Sequence, residues 1–321
     1  MAHLRLLADD LTGALDSAAR FLPLTGPVAV TWQGRAIEGS VAIDSGTRDL
    51  PAEAARARIE RLAPLLDGGA PAFKKIDSLL RGHVAMELAA CMRRFDHCVL
   101  APAFPFQGRI TRDGRQLALT GDAGRDTGVD LQGELRALCV EAQMRDAETD
   151  ADLDAIVAEG RCLTGRVLWC GTGGLAGALA GHGTVPRPGL SLPLLALIGS
   201  DHPASRAQVA AVPADLLPAV VVCDLPAGTD RLTARERIGE TFRALLDRVG
   251  RPGTLFVTGG ATLRDLCDAL GVGRLEVDGE LEPGVPTSLL RGGDWDGQRL
   301  VSKSGAFGDT GFLQRLLGEA R

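Results

Sequence analysis

Short apolar runs alternate along the first half of the chain with longer stretches in which apolar side chains recur at helical spacing. The runs over 4–8, 28–32, 41–43, 72–76, 98–101 and 167–170 have the length of buried strands, while 51–66, 82–95 and 150–159 carry the period of amphipathic helices. Alternation of this kind builds parallel sheets joined by right-handed crossovers. A connector dense in Gly and Pro over 181–193 breaks the pattern. Beyond it the alternation restarts, with strands over 194–198, 220–224 and 254–257 and helices over 205–211, 233–249 and 263–270. The fold expected is α/β in two domains, 1–185 and 194–321, each a mainly parallel sheet flanked by helices. Residues 107–130, rich in Gly, Asp, Arg and Thr, show little apolar period and are expected to form an irregular excursion.

Length supports this division, since 321 residues exceed what one hydrophobic core usually organises. Composition narrows the functional classes. The formal charge is −6, tyrosine is absent and aromatic residues make up 4%, which removes both the cationic surface and the stacking platforms of a nucleic-acid binder. Seven cysteines, an odd number with no C-x-x-C pair, read as reduced thiols of a cytoplasmic protein. The N-terminus meets Asp9 and Asp10 too early for a signal peptide, and no apolar run reaches the ~18 residues of a spanning helix, so no membrane partner is expected. Five unclustered histidines offer neither a zinc site nor a Ser-His-Asp triad, and no protein metal ligands are expected.

Candidate chemistry gathers where predicted strands stop, which is where ligands bind in open parallel sheets. The first strand runs into Asp9-Asp10-Leu-Thr12-Gly13, the third into Asp44-Ser45-Gly46-Thr47-Arg48, and the fourth passes through Lys74-Lys75 into Asp77-Ser78-Leu79-Leu80-Arg81-Gly82. Asp9 and Asp10 serve either as a helix cap or as hydroxyl-binding and proton-accepting carboxylates. Lys75 and Asp77 share a face by alternation and are either a solvated ion pair or a pair addressing one ligand. Arg48 and Arg81 are bidentate partners for a substrate carboxylate. In the second domain, Gly199-Ser200, Val257-Thr258-Gly259-Gly260-Ala261-Thr262 and Lys303-Ser304-Gly305 each follow a strand, and together suggest a cradle for nucleotide phosphates. There is no G-x-x-x-x-G-K-[ST] loop and no protein-kinase signature set.

With these residues in view, the chain resembles the four-carbon acid sugar kinase family, once catalogued as a domain of unknown function. The likeness rests on Asp9-Asp-Leu-Thr-Gly-Ala14, on Lys74-Lys-Ile-Asp-Ser-Leu-Leu-Arg-Gly82 and on Ala101-Pro-Ala-Phe-Pro-Phe-Gln-Gly108, in that order. It continues through 146–153, Gly199-Ser200, Thr258-Gly259-Gly260 and 303–308. The resemblance implies an N-terminal domain that binds the acid sugar and a C-terminal domain that binds ATP. It also implies an active site in the cleft between the domains and phosphoryl transfer to the terminal hydroxyl of a threonate, erythronate or 3-oxo-tetronate. Asp10 and Asp77 would then act in catalysis, Asp9, Arg48, Lys75 and Arg81 would bind the sugar, and Ser200, Gly259, Gly260, Ala261, Thr262, Lys303 and Gly305 would bind ATP with its Mg2+. The partners expected are therefore an acid sugar and ATP, with homodimerisation left open. The chain departs from the family pattern at Ala261, where an acidic or polar residue is usual, at Gly199-Ser200-Asp201-His202, and in its shorter middle.

Two rival readings stand beside this one. Gly171-Thr-Gly173-Gly-Leu-Ala176 follows a strand and approximates G-x-G-x-x-A, the mark of an NAD(P)-dependent dehydrogenase, but the acid expected ~20 residues on is missing. A non-catalytic sensor of sugar acid or nucleotide would share the same binding residues.

Overall fold

The computed structural model of the protein describes residues 2–34, 37–120, 123–223, 231–246 and 248–319. Asp224, the end of the strand expected over 220–224, and Asp247, inside the helix expected over 233–249, lie outside the described residues. The chain forms two compact units, Met1–Val185 and Pro186–Arg321.

In the first unit the elements follow as β1 (Arg5–Ala8), α1 (Leu11–Thr25), β2 (Val28–Thr31), β3 (Val41–Asp44), α2 (Ala52–Leu62), β4 (Ala72–Lys75), α3 (Val84–Met92) and β5 (His97–Ala101). After them come β6 (Arg109–Arg112), β7 (Arg115–Thr120), β8 (Ala123–Asp126), α4 (Leu131–Ala137), α5 (Asp150–Gly160), β9 (Val167–Gly171) and α6 (Gly173–Leu179). Six strands make a parallel sheet in the order β2-β3-β1-β4-β9-β5. Helices α1, α5 and α6 pack together, and so do α2, α3 and α4. One core joins Ile59, Leu62, Leu88, Leu131 and Leu135 of the second helix group to Leu7, Ile43 and Leu168 of the sheet. The opposite side of the sheet holds an edge-to-face pair, Phe21 and Phe73, with ring centroids 5.3 Å apart.

Local chemistry sets the element ends. Asp10 caps α1, its carboxylate accepting from the Gly13 amide at 2.9 Å. Helix α2 stops at Leu62 and its continuation, Ala63–Leu66, tightens into a 3-10 turn, because Pro64 lacks an amide proton and crowds the preceding turn. Residues 107–120 and 123–130 are not the irregular excursion expected. They contain the antiparallel meander β6-β7-β8, whose first turn places Asp113 at φ 52° and Gly114 at φ 70°. These left-handed angles are those of a two-residue hairpin turn, and Asp-Gly is the dipeptide that favours it. Asp146 fastens the tip by accepting from both the Asp113 and Gly114 amides.

The second unit contains β10 (Leu194–Ile198), α7 (Pro203–Ala210), β11 (Val220–Val222), α8 (Arg231–Leu246), β12 (Thr254–Thr258), α9 (Gly260–Ala269), β13 (Arg274–Glu280), β14 (Pro286–Arg291), β15 (Arg299–Lys303) and α10 (Phe312–Glu319). Strands β11, β10, β12 and β15 run parallel in that spatial order, and β14 and β13 extend the edge as antiparallel neighbours. The core on one face joins Ala196, Ile198, Phe256 and Val301 to Phe312, Leu313 and Leu316 of α10. Among the described residues no helix is long and apolar enough to cross a membrane.

Candidate functional site

Register brings the first cluster together. Ala8 pairs with Asp44 on one side and with Lys75 on the other, so the chains leaving β1, β3 and β4 emerge side by side at the carboxyl edge of the sheet. Arg48 reaches back from the turn after β3 and grips Asp9 with both arms of its fork, Nε to Oδ2 at 2.7 Å and an Nη to Oδ1 at 2.8 Å. The same guanidinium meets Asp10 Oδ1 at 2.9 Å and Oδ2 at 2.7 Å, and lies 3.7 Å from Asp77. Asp77 is gripped in turn by Arg81, at 2.9 and 2.7 Å, and also accepts from the Leu79 and Arg81 amides. Leu80, held at φ 59°, folds Arg81 back onto that carboxylate; such a conformation costs ~1 kcal/mol or more and is characteristic of functional loops. Arg81 remains largely exposed on its outer face.

The two lysines part company. Lys74 points to the α3 side, fully buried, and pairs with Glu87 at 2.8 Å. Glu87 also accepts from Thr47 Oγ1 at 2.5 Å, and Thr47 meets Ser45 at 2.8 Å. This chain underlies the turn that carries Arg48. Burial works against the Lys74 charge, but Glu87 and Asp9 outweigh it and raise its pKa well above the ordinary value. Lys75 takes the opposite face, against α1, and donates to the Ile76 carbonyl at 2.7 Å. Gly13 makes room for it, since a Cβ there would stand 2.6 Å from Asp10 Oδ1 and 3.0 Å from Lys75 Nζ.

Electrostatics sort the carboxylates. Burial disfavours the charges of both Asp10 and Asp77. The Arg48 and Lys75 charges overcome this at Asp10, and the Arg81 hydrogen bond with the Arg48 charge overcomes it at Asp77, so both carboxyls lie below the usual range. Asp16 behaves in the opposite way. It lies on α1, one turn beyond Gly13, and burial raises its pKa against the weaker pull of Arg20 and Lys75.

Sequence reasoning passed over Asp16, Glu87, Arg109 and Gln116. Arg109, the first residue of β6, meets the Gln107 and Gly108 carbonyls through one Nη and leaves a buried Nε without a hydrogen-bond partner. Burial and the Arg81 charge lower its pKa, against the attraction of Asp77, which puts this guanidinium within the field of the same cluster. Gln116 of β7 is fully buried and donates to the Ser78 and Pro102 carbonyls at 2.9 and 3.1 Å, tying the meander to the loops after β4 and β5. The signal available was Asp113-Gly114, which defines the hairpin and hence the faces of β6 and β7.

In the second unit, β10, β12 and β15 end together, Ile198 pairing with Thr258 and Thr258 with Lys303. Gly199-Ser200, Gly259 to Thr262 and Ser304-Gly305 therefore share one edge. Gly259 stands at φ 100° before α9, leaving the first amides of that helix unspent by helical bonds. The glycines are sterically required: a Cβ at Gly199 would fall 1.9 Å from Thr262 Oγ1, and one at Gly305 would fall 1.9 Å from Ser200 Oγ. Lys303 is buried and spends its ammonium on the Ser304 and Phe307 carbonyls at 3.0 and 2.8 Å, so it shapes the loop that carries Gly305. Burial lowers its pKa to about 8. These turns present the free backbone amides at the start of α9 along that edge. Among the described residues no group of three or more His, Cys, Asp or Glu side chains is placed to hold a metal.

The glycines of the G-x-G-x-x-A stretch have packing reasons. A Cβ at Gly173 would meet Asp16 Oδ2 at 2.8 Å and the Phe104 ring at 3.0 Å, and one at Gly174 would meet the Ala103 carbonyl at 2.7 Å. Thr172 caps α6 and donates to Ala103 at 2.6 Å. A pyrophosphate there would face the Asp16 carboxylate.

Two family models match the chain, one within each unit. Residues 4–130 match a family model described as a sugar-binding N-terminal domain, and residues 226–313 match one described as a nucleotide-binding C-terminal domain. A D-threonate kinase of Cupriavidus necator is 30% identical over 399 aligned positions, covering 96% of this chain and 95% of the relative. A D-erythronate kinase of Heliobacterium modesticaldum is 24% identical, covering 97% and 95%. A Salmonella typhimurium LT2 protein labelled a tRNA synthase superposes with a TM-score of 0.75 at 20% identity, covering 98% of this chain and 99% of its own, a likeness of fold alone. A sugar-binding half joined to a nucleotide-binding half is the build of a two-domain sugar kinase. The chain belongs to the four-carbon acid sugar kinase family. The 399 positions aligned to C. necator exceed this chain's 321 residues, so that relative carries insertions that this chain lacks.

Proposed function

We propose that the protein is an ATP-dependent kinase that phosphorylates the terminal hydroxyl of a four-carbon acid sugar of the threonate, erythronate or 3-oxo-tetronate type. The observation that carries this reading is the convergence of Asp9, Asp10, Arg48, Lys75, Asp77 and Arg81 at one sheet edge. Such a cluster suits a small ligand that bears one carboxylate and several hydroxyls. Arg48 is committed to Asp9 and Asp10, so it holds these carboxylates in place as acceptors for sugar hydroxyls. Arg81 turns its outer face to solvent and, with Lys75, receives the sugar's carboxylate. Asp77 orients Arg81, and Arg109 extends the cationic wall.

In the second unit, Ser200, the amides of Gly259 to Thr262 and the loop at Gly305 would hold the ATP phosphates, with Lys303 supporting that loop. Mg2+ would enter with the nucleotide and neutralise phosphate charge. Phosphoryl transfer asks the protein mainly for positioning and charge compensation, and the residues of both clusters are suited to supply them. The seven unpaired cysteines suit a reducing, cytoplasmic setting.

The test is ADP release from purified protein with Mg-ATP and D-threonate, D-erythronate or 3-oxo-tetronate. Turnover of one or more is expected. A folded sample that binds an acid sugar without consuming ATP would favour the sensor reading, and one that binds none would refute the proposal.

A further inference from the structure

We propose that Asp16 is the base that takes the proton from the attacking sugar hydroxyl, a role that rests on the kinase reading above. Three carboxylates surround Lys75, those of Asp10, Asp16 and Asp77. Two of them are already engaged. Asp10 uses both oxygens on Arg48, Thr12 and Gly13, and Asp77 uses both on Arg81 and loop amides. Carboxylates held in this way are weak proton acceptors. Asp16 is 6% exposed, and its buried Oδ1 has no hydrogen-bond partner. A buried acceptor left unspent carries a free-energy cost, and a part in the chemistry would account for it.

One glycine leaves room for Lys75 beside the helix, and another leaves room for this carboxylate. Gly13, one helical turn before Asp16 on α1, lets Lys75 Nζ lie against the helix. Gly173, at the start of α6, clears Asp16 Oδ2, which would stand 2.8 Å from a Cβ there, with the Phe104 ring as the remaining wall. Asp16 thus lies in the field of Lys75 and Asp10. The charged groups facing it are Asp10 and Arg20 of its own helix and Lys75 of β4, while α6 contributes no ionisable side chain. Its raised pKa brings Asp16 closer to the operating pH, where a general base is most effective.

In the step itself, the hydroxyl oxygen forms its bond to the terminal phosphorus as its O–H bond breaks, and the proton passes to Asp16 Oδ1. The bridging P–O bond breaks with its electron pair left on ADP.

Asp16→Asn preserves shape and removes the base. With D-threonate or D-erythronate and Mg-ATP, kcat is expected to fall by about 100-fold or more while the KM for the sugar and the Kd for ATP change by less than about 3-fold. In wild type, kcat/KM is expected to fall as pH drops through the Asp16 pKa, and this acid limb should vanish from the residual activity of the variant. Wild-type kcat in Asp16→Asn overturns the proposal. So does an unchanged kcat with a raised KM, which would make Asp16 a support for Lys75. If the asparagine variant fails to fold, Asp16→Glu decides: a displaced acid limb with lowered kcat supports the role, and an unmoved limb overturns it. Absence of wild-type turnover with every acid sugar would instead remove the kinase reading, and the proposal with it.

Discussion

Glu87→Gln isolates the ion pair beneath the cluster of Asp9, Asp10 and Arg48. Lys74 and Glu87 meet at 2.8 Å with their side chains 0% and 2% exposed, so neither charge can be rehydrated when the other is removed. Glutamine keeps the shape of glutamate and an oxygen for Thr47, but it leaves the Lys74 ammonium buried without a counter-charge. Removing one member of a buried pair costs about 3–5 kcal/mol, and the retained Thr47 contact argues for the lower end, about 3 kcal/mol. For a unit of this size that corresponds to a fall in Tm of roughly 6–12 °C. The sign of any pH dependence follows from Lys74. Its folded pKa lies above the ordinary 10.5, so the pair's stabilisation is fully present below that value and is lost only as pH rises through the folded pKa. The wild-type pair is therefore fully formed at pH 7, where the loss in Glu87→Gln is measured. Urea unfolding followed by circular dichroism measures it, and Lys74→Met combined with Glu87→Leu should recover most of it, since a matched apolar pair leaves no orphan charge. A single variant within about 1 kcal/mol of wild type, or a double variant no better than the single, would refute this reasoning.

Gly305→Ala should weaken ATP binding by about 10-fold or more without changing sugar binding, because its Cβ would collide with Ser200 Oγ at 1.9 Å and displace the phosphate loop. Calorimetric titration of each ligand checks this, and unchanged ATP affinity would detach the cradle from the nucleotide. Lys303 predicts a pH effect of the opposite kind to Lys74. Its folded pKa of about 8 lies below the ordinary 10.5, so between those values the unfolded chain binds more protons and stability rises with pH. Denaturant midpoints should climb from pH 7.5 to 9.5 in wild type, and Lys303→Met should flatten that part of the rise.

The parallel strands of both units are legible in the sequence because each is a short apolar run closed by turn-forming residues. The residues that end them, Asp9, Arg48, Lys75, Asp77 and Arg81, could be gathered on paper because parallel strands deliver their carboxyl ends to one edge. What escaped had a physical reason. Asp9-Asp10 can mark the start of α1 as a cap, but nothing in the sequence says which polar side chains of that helix turn inward, and Asp16 and Ser17 are buried beside Ala14, Ala18 and Phe21. The meander β6–β8 is short and rich in charge, and only its Asp-Gly turn declares it. Which lysine faces α1 and which faces α3 depends on the pairing of Lys74 with Glu87, a partner 13 residues away on another element.

Asp10 holds two offices at once. The same carboxylate starts α1, by accepting from Gly13 and Thr12, and anchors Arg48 in the cluster. A chain drifting toward a new acceptor cannot retire this residue without loosening the helix that carries Asp16 and abuts Lys75. Variation that changes substrate choice is therefore channelled elsewhere, to side chains that border the cluster but cap no helix and clasp no carboxylate. Arg109, on a meander tied down by Gln116, is such a place. Selection for altered acceptors should find its first footholds there, while changes at Asp10 should surface as proteins that fold poorly before they surface as enzymes with a different taste.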